Sequence, residues 1–192
     1  MIHFKKGNIL EANVEALVNT VNTVGIMGKG IALAFKREFP ENYKIYKKAC
    51  DNNNLKIGDL LVTQTGRSNP KYIINFPTKQ HWRSRSKIEY IEKGMEKLVE
   101  IIRERDIQSS AIPPLGCGNG GLNWENVKPV IVEGLESVKN STDIILYEPG
   151  YNNQLIRAKK AVNLTPARAM LLSALNSYKI LGYSINLQVA QK

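Results

Sequence analysis

The stretch from Leu17 to Phe39, LVNTVNTVGIMGKGIALAFKREF, constrains this chain more than any other. Ala16 to Val18 is a short apolar run that reads as a buried strand, and Ile31 to Phe39 carries apolar residues at helical spacing. Between them the pattern predicts a loop holding Asn19, Asn22, Gly25, Gly28 and Gly30. A strand that empties through glycines into a helix makes an anion site. The first turn of the helix offers unpaired N–H groups and a partial positive charge, and glycine lets the backbone approach a phosphate closely.

The 192 residues, 43% of them hydrophobic, suit one domain of about 150 residues with chain to spare. No apolar run is long enough to span a bilayer and no charged-then-apolar leader opens the chain, so a cytoplasmic protein is expected. Cys50 and Cys117 lie far apart and form no CxxC, which argues against a disulfide framework and against bound zinc; no cofactor is expected. The net charge of +10 favours polyanionic partners or anionic ligands, with a lysine-rich solvated surface as the plain alternative.

Along the chain the pattern predicts strands at Ile2 to Phe4, Val14 to Thr20, Leu60 to Gln64, Tyr72 to Asn75, Ser110 to Ile112 and Asp143 to Tyr147. Helices are predicted over Lys29 to Glu38, Asn42 to Asp51, Lys87 to Arg105 (capped by Ser86) and Trp124 to Lys139 (capped by Asn123). This alternation argues an α/β fold with a mixed, largely parallel sheet between helical layers. Glu148 to Asn153 reads as a domain boundary. Thr165-Pro166 then opens a further helix to Leu181, so residues 151–192 read as a linker and the helical start of a second module.

A second glycine loop, PPLGCGNGGLNWEN, runs from Pro113 to Asn126. Two such loops at the ends of neighbouring parallel strands grip both phosphates of a diphosphate. Neither is a Walker A loop: Gly28-Lys29-Gly30 has no Ser or Thr after the lysine. Gly116, Gly118 and Gly120 lack the spacing of a dinucleotide fold. Between the loops, His81-Trp82-Arg83-Ser84-Arg85-Ser86-Lys87 mixes an aromatic ring with cations, the combination that holds single-stranded nucleic acid. The alternative is a core tryptophan with solvated arginines.

Taken in order, GNI (Gly7 to Ile9), ALVNTVN (Ala16 to Asn22), MGKGIA (Met27 to Ala32) and PPLGCGNGGLNW (Pro113 to Trp124) resemble the macrodomain family of ADP-ribose-binding modules over residues 1–150. NFPTKQHWRSRS, Asn75 to Ser86, and LTPARA, Leu164 to Ala169, are similar to its DarG-type branch: DNA ADP-ribosyl glycohydrolases that act as antitoxins against a DarT-type DNA ADP-ribosyltransferase. The resemblance implies a monomeric hydrolase that removes ADP-ribose from DNA bases, thymidine in single strands. A flipped or unpaired base is the natural substrate. Two other readings stay open: an ADP-ribose reader without catalysis, and an antitoxin that works by protein–protein contact.

By the same resemblance Lys79 is the catalytic residue, either attacking C1″ as an amine or stabilising the departing base as an ammonium. Asn22 is the second catalytic candidate, at the distal ribose. Asn8 and Ile9 would lie beside the adenine, with Tyr147 and Pro149 over its face. Asn19, Gly28, Lys29, Gly30 and Ile31 would bind ADP-ribose from the first loop, and Leu115, Gly116, Cys117, Gly118, Asn119 and Gly120 from the second. His81, Trp82, Arg83 and Arg85 would hold nucleic acid. The animal terminal glycohydrolase branch pairs its lysine with an aspartate; alignment puts Gly120 there, and Gly116 to Leu122 contains no carboxylate.

Overall fold

The computed structural model describes residues 1–150 and Met170. The expected helix from Thr165 to Leu181 and the second module lie outside the described residues. Six strands form one sheet: β1 (Ile2–Lys5), β2 (Ala16–Asn22), β3 (Leu61–Gln64), β4 (Tyr72–Lys79), β5 (Ser109–Ile112) and β6 (Asp143–Tyr147). Their order is β1-β6-β5-β2-β4-β3. Every pairing is parallel except β3 against β4. Four helices flank the sheet: α1 (Gly30–Glu38), α2 (Pro40–Asp51), α3 (Ile88–Glu104) and α4 (Trp124–Gly134).

The two-residue period of the strands sorts the core. Ala16, Val18, Ile74 and Phe76 pack with Ile91, Met95 and Leu98 of α3 and with Val127 and Ile131 of α4. The alternate residues Leu17 and Ile73 pack with Phe35 and Phe39 on the α1 side, while Val21 meets Tyr46 and Cys50 of α2. No helix among the described residues is long and apolar enough to cross a membrane.

Several boundaries differ from the sequence pattern, and the differences matter for the site. The second strand starts and ends later than expected, so Asn22 lies on β2 together with Asn19. The fourth strand does not stop before Phe76-Pro77 but runs on to Lys79, with all eight residues buried. Pro77 is tolerated because the register of β2 against β4 slips between Val21 and Asn22, beside it, where a ladder bond is already given up. Pro40 opens α2 at its first position as well as closing α1. Helix α4 ends at Gly134, and the chain from there to Thr142 is a series of turns. Ser86 does not cap α3; Lys87 occupies the cap position without a side-chain bond, and the Ser86 hydroxyl turns inward.

Candidate functional site

In a parallel sheet the carboxyl ends of the strands share one edge, and the loops leaving that edge collect there. Here the loops after β2, β4, β5 and β6 do so. They enclose a cavity of about 600 Å³ and, beside it, a smaller one of about 160 Å³. Ile31, Pro113, Pro114 and Gly118 line both, so the two form one continuous groove.

The first loop ends at Lys29, which precedes α1 without offering a side-chain cap. The opening amides of the helix, at Gly30, Ile31 and Ala32, therefore face the larger cavity without an intrahelical partner. Gly30 sits at φ +58°, where a side chain is strained, and a Cβ there would lie 3.0 Å from Asn119 Nδ2 of the second loop. The two loops thus touch at Gly30 and Asn119. In the second loop the amides of Cys117, Gly121 and Leu122 donate to Pro114, Gly118 and Gly116 carbonyls. Among the described residues those of Gly118, Asn119 and Gly120 donate to no backbone carbonyl, and all three residues line the cavity. Consecutive unpaired amides facing an uncapped helix N-terminus make a two-sided cradle for paired phosphates. Among the described residues the cations lining this cavity are Lys29, Lys79 and Arg83, and no carboxylate lines it.

Lys79, at the end of β4, is 9% exposed. Its Nζ donates to Asn119 O (2.9 Å), Trp82 O (3.3 Å) and Ser84 O (3.4 Å), tying the loop after β4 to the second glycine loop. Burial pushes its pKa below the ordinary lysine value.

Asn22 pairs in register with Lys79 across the strands and is 4% exposed. Its Oδ1 accepts from Val24 N (3.0 Å), Ile26 N (3.2 Å) and the Tyr46 hydroxyl (3.1 Å), and its Nδ2 donates to Ile26 O (2.6 Å). The side chain is occupied with folding the first loop, and one amide hydrogen is left for a ligand. Asn22 lines the larger cavity, as a residue expected at the distal ribose would. Tyr46 was missed by the sequence reading, since a helical tyrosine carries no signal for a polar anchor. Fully buried, it also donates to Asn22 O at 2.8 Å, and burial drives its pKa upward, keeping the hydroxyl a donor. Tyr46→Phe removes both bonds. It is expected to cost about 1–2 kcal/mol and to lower Tm by about 3–6 °C, as read by thermal unfolding.

Other expectations are moved. Asn19 is fully buried and does not line the groove; its Nδ2 donates to Asn75 Oδ1 (3.0 Å) in a polar knot with Asn42 and Thr63. Leu115 is also fully buried, in the core beneath the second loop. Asn8 caps a short 3-10 turn, accepting from Leu10 N and donating to Glu11, and it does not line the smaller cavity. Ile9, Cys117, Tyr147 and Pro149 do line it. Tyr147 is 3% exposed with its hydroxyl unpartnered. Burial pushes the Cys117 thiol up to about 11, the reverse of activation by a helix terminus, so it serves as a small neutral residue. Trp82 is no core plug: it is 42% exposed and lines the larger cavity with Arg83. His81 and Arg85 are exposed and stand outside the lining. Thr20, Val21, Ile26 and Thr78 line the cavity without having been expected. Thr20 and Val21 belong to β2 and Thr78 to β4, strand ends that the sequence pattern did not place at a ligand.

The Macro domain family model matches residues 18–131. Over 196 aligned positions the chain is 50% identical to the DNA ADP-ribosyl glycohydrolase of Thermus aquaticus, covering all of this chain and 54% of that protein. It spans about half the length of the curated glycohydrolases it matches first. Its fold superposes on the macrodomain of Mycobacterium tuberculosis DarG with a TM-score of 0.76 at 50% identity, covering 78% of this chain and 99% of that one. It also superposes on Thermosipho africanus DarTG in complex with ADP-ribose, with a TM-score of 0.71 at 31% identity, covering 88% of this chain and 46% of that one. A two-loop groove at the carboxyl edge of a mixed sheet, a family match over more than half the residues and likeness to whole macrodomains agree: the chain belongs to the macrodomain family.

Proposed function

We propose that this chain is a DarG-type glycohydrolase that removes ADP-ribose from ADP-ribosylated DNA bases, thymidine in single strands, and so reverses a DarT-type toxin. The single observation that carries the reading is the position of Lys79, a buried amine at a strand end on the wall of the cavity that holds the phosphate cradle. The likeness to the DNA ADP-ribosyl glycohydrolase of Thermus aquaticus and to the Thermosipho complex with ADP-ribose supports it. In this reading the macrodomain occupies residues 1–150, with a second module beginning in residues 151–192, and the protein works as a cytoplasmic monomer.

The pyrophosphate lies between the α1 amides and those of Gly118 to Gly120. The adenine lies in the smaller cavity against Ile9, Tyr147 and Pro149, and the distal ribose points toward Lys79. The Lys79 amine leaves its carbonyl cradle and attacks C1″. The bond from C1″ to the base nitrogen breaks, the base takes a proton, and the ribose opens to an imine on Nζ. Water then adds to the imine carbon, the amine departs, and free ADP-ribose recloses. Among the described residues no carboxylate lines the larger cavity as a partner base, and in this reading the lysine works through its lowered pKa.

The test incubates the full chain with a single-stranded oligonucleotide ADP-ribosylated on thymidine and follows ADP-ribose and unmodified oligonucleotide by mass spectrometry. Release of both supports the proposal; tight binding without release would make the chain a reader. The pH profile adds a sign. Below its lowered pKa Lys79 is an ammonium, so amine attack predicts kcat/KM rising with pH toward a plateau, with a midpoint below the ordinary lysine value of 10.5. A rate that stays flat and then falls across this range would assign the work to the ammonium form.

A further inference from the structure

The cavity that Lys79 lines also has two exposed apolar side chains in its wall, Ile26 and Trp82, with Val24 exposed two residues before Ile26 on the same loop. Val24, Ile26 and Trp82 are large hydrophobic residues left 40%, 39% and 42% exposed. Val24 and Ile26 belong to the loop after β2, and Trp82 to the loop after β4. These strands are neighbours, with Asn22 opposite Lys79. The loops are stitched together where they leave the sheet, because Thr23 donates to Gln80 O from both its amide (3.0 Å) and its hydroxyl (2.9 Å). Ile26 is held by Asn22, and the Trp82 carbonyl accepts from Lys79 Nζ. Ile26 and Trp82 line the same cavity as Lys79.

Phosphates and riboses call for amides and hydroxyls, and they give an exposed indole and an isoleucine nothing to do. The Arg83 guanidinium covers one face of the indole, 4.5 Å from the ring centroid, and the His81 ring stands 5.4 Å away at an interplanar angle of 31°. Arg85 and Lys87 follow it, both exposed. An apolar, aromatic-bearing wall bordered by cations fits a flat base on a charged strand. It does not fit the carboxylate or hydroxyl side chain of a modified protein.

We propose that Trp82, together with Val24 and Ile26, forms a subsite for the nucleobase that departs from C1″, and that Arg83, Arg85 and Lys87 carry the flanking phosphates. This rests on the glycohydrolase reading and narrows it: the subsite selects ADP-ribosylated nucleic acid over ADP-ribosylated protein. Trp82 acts through its ring alone, because the bond to Lys79 uses its backbone carbonyl and survives replacement of the side chain.

The test compares the full chain with its Trp82→Ala and Trp82→Phe variants. On an oligonucleotide ADP-ribosylated at thymidine, Trp82→Ala is expected to lower kcat/KM about 10–100-fold and Trp82→Phe to restore most of it, as loss and recovery of one base stack require. The Kd for free ADP-ribose, measured by calorimetry, is expected to move by less than about threefold, since no stack with ADP-ribose is lost. A second arm works in a Lys79→Ala background. There ADP-ribosylated thymidine is expected to bind more tightly than ADP-ribose, and Trp82→Ala to erase the difference. Absence of release by the unmodified chain overturns the glycohydrolase reading alone, because the second arm still reads the subsite. Equal binding of the two ligands in that arm, or an unchanged kcat/KM for Trp82→Ala, overturns the subsite. So does a parallel loss of ADP-ribose affinity in Trp82→Ala.

Discussion

Replacing Lys79 with alanine is expected to slow release of ADP-ribose from the modified oligonucleotide by at least about a hundredfold, while ADP-ribose itself still binds. The split follows from how the groove is built. In the proposed reading the phosphates meet backbone amides at the start of α1 and in the second loop, and Lys79 bonds the second loop through the Asn119 carbonyl, not through those amides. The fold should also survive. The three carbonyls that Nζ satisfies, on Trp82, Ser84 and Asn119, lose a donor at a cavity wall that water can reach. In return, a charge that burial disfavours is removed. Lys79→Arg separates the two chemical roles. A guanidinium keeps the positive charge and the donors to the three carbonyls, but it has no amine to give up a proton and attack. Nucleophilic attack therefore predicts that Lys79→Arg is as slow as Lys79→Ala. Borohydride is then expected to trap an ADP-ribose adduct on the wild-type chain and on neither variant. Equal release by wild type and Lys79→Ala would remove the lysine from the mechanism altogether.

That prediction was legible in the sequence only as far as the residue type. The alternation of strands and helices, the glycines and the apolar spacing of α3 pointed to the sheet, the two loops and the helical layers, because those patterns reflect local backbone preference and burial on one face. What decides the chemistry is not local. Lys79 looked like a loop lysine because Phe76-Pro77 reads as a strand end, and only the slipped register of β2 lets β4 carry a proline and reach Lys79. Asn19 and Asn22 stand three apart in one run, Asn22 expected at the distal ribose and Asn19 read also as a brace for the strand end. Strand periodicity sends Asn19 to the α1–α2 face, where it meets Asn75, and the irregularity after Val21 leaves Asn22 at the cavity. Asn22 has local partners in Val24 and Ile26, but Tyr46 for Asn22 and Asn75 for Asn19 lie more than 20 residues away in sequence, so no short window contains those contacts.

Gly120 supplies the second large effect. A Cβ at this position would stand 2.2 Å from Ser86 Oγ, 2.3 Å from Gly116 O and 2.9 Å from Gly116 C. The serine rotamer can yield, but the Gly116 carbonyl cannot. Gly116 O accepts from Leu122 N at 3.1 Å, and Gly116 is held at φ +71° against Ser86 and Leu122. Gly120→Ala must therefore open the loop. The cost of such overpacking is about 1–3 kcal/mol, which corresponds to a Tm lower by about 3–9 °C. Binding suffers further, because the amides of Gly118 to Gly120 lose their common aim and Asn119 O moves off Lys79. ADP-ribose affinity is expected to fall about a hundredfold or more, the equivalent of about 3 kcal/mol. Gly118→Ala is the control for stability, since a Cβ there meets nothing within 4 Å and Tm should stay unchanged. The same geometry answers the question raised by the aspartate of the animal branch. A side chain at residue 120 collides with backbone before it could carry a carboxylate toward Lys79, so Gly120→Asp is expected to lose activity with Gly120→Ala and not to install a dyad. If Gly120→Ala melts with the wild type and binds ADP-ribose as tightly, the second loop is not the rigid half of the phosphate cradle.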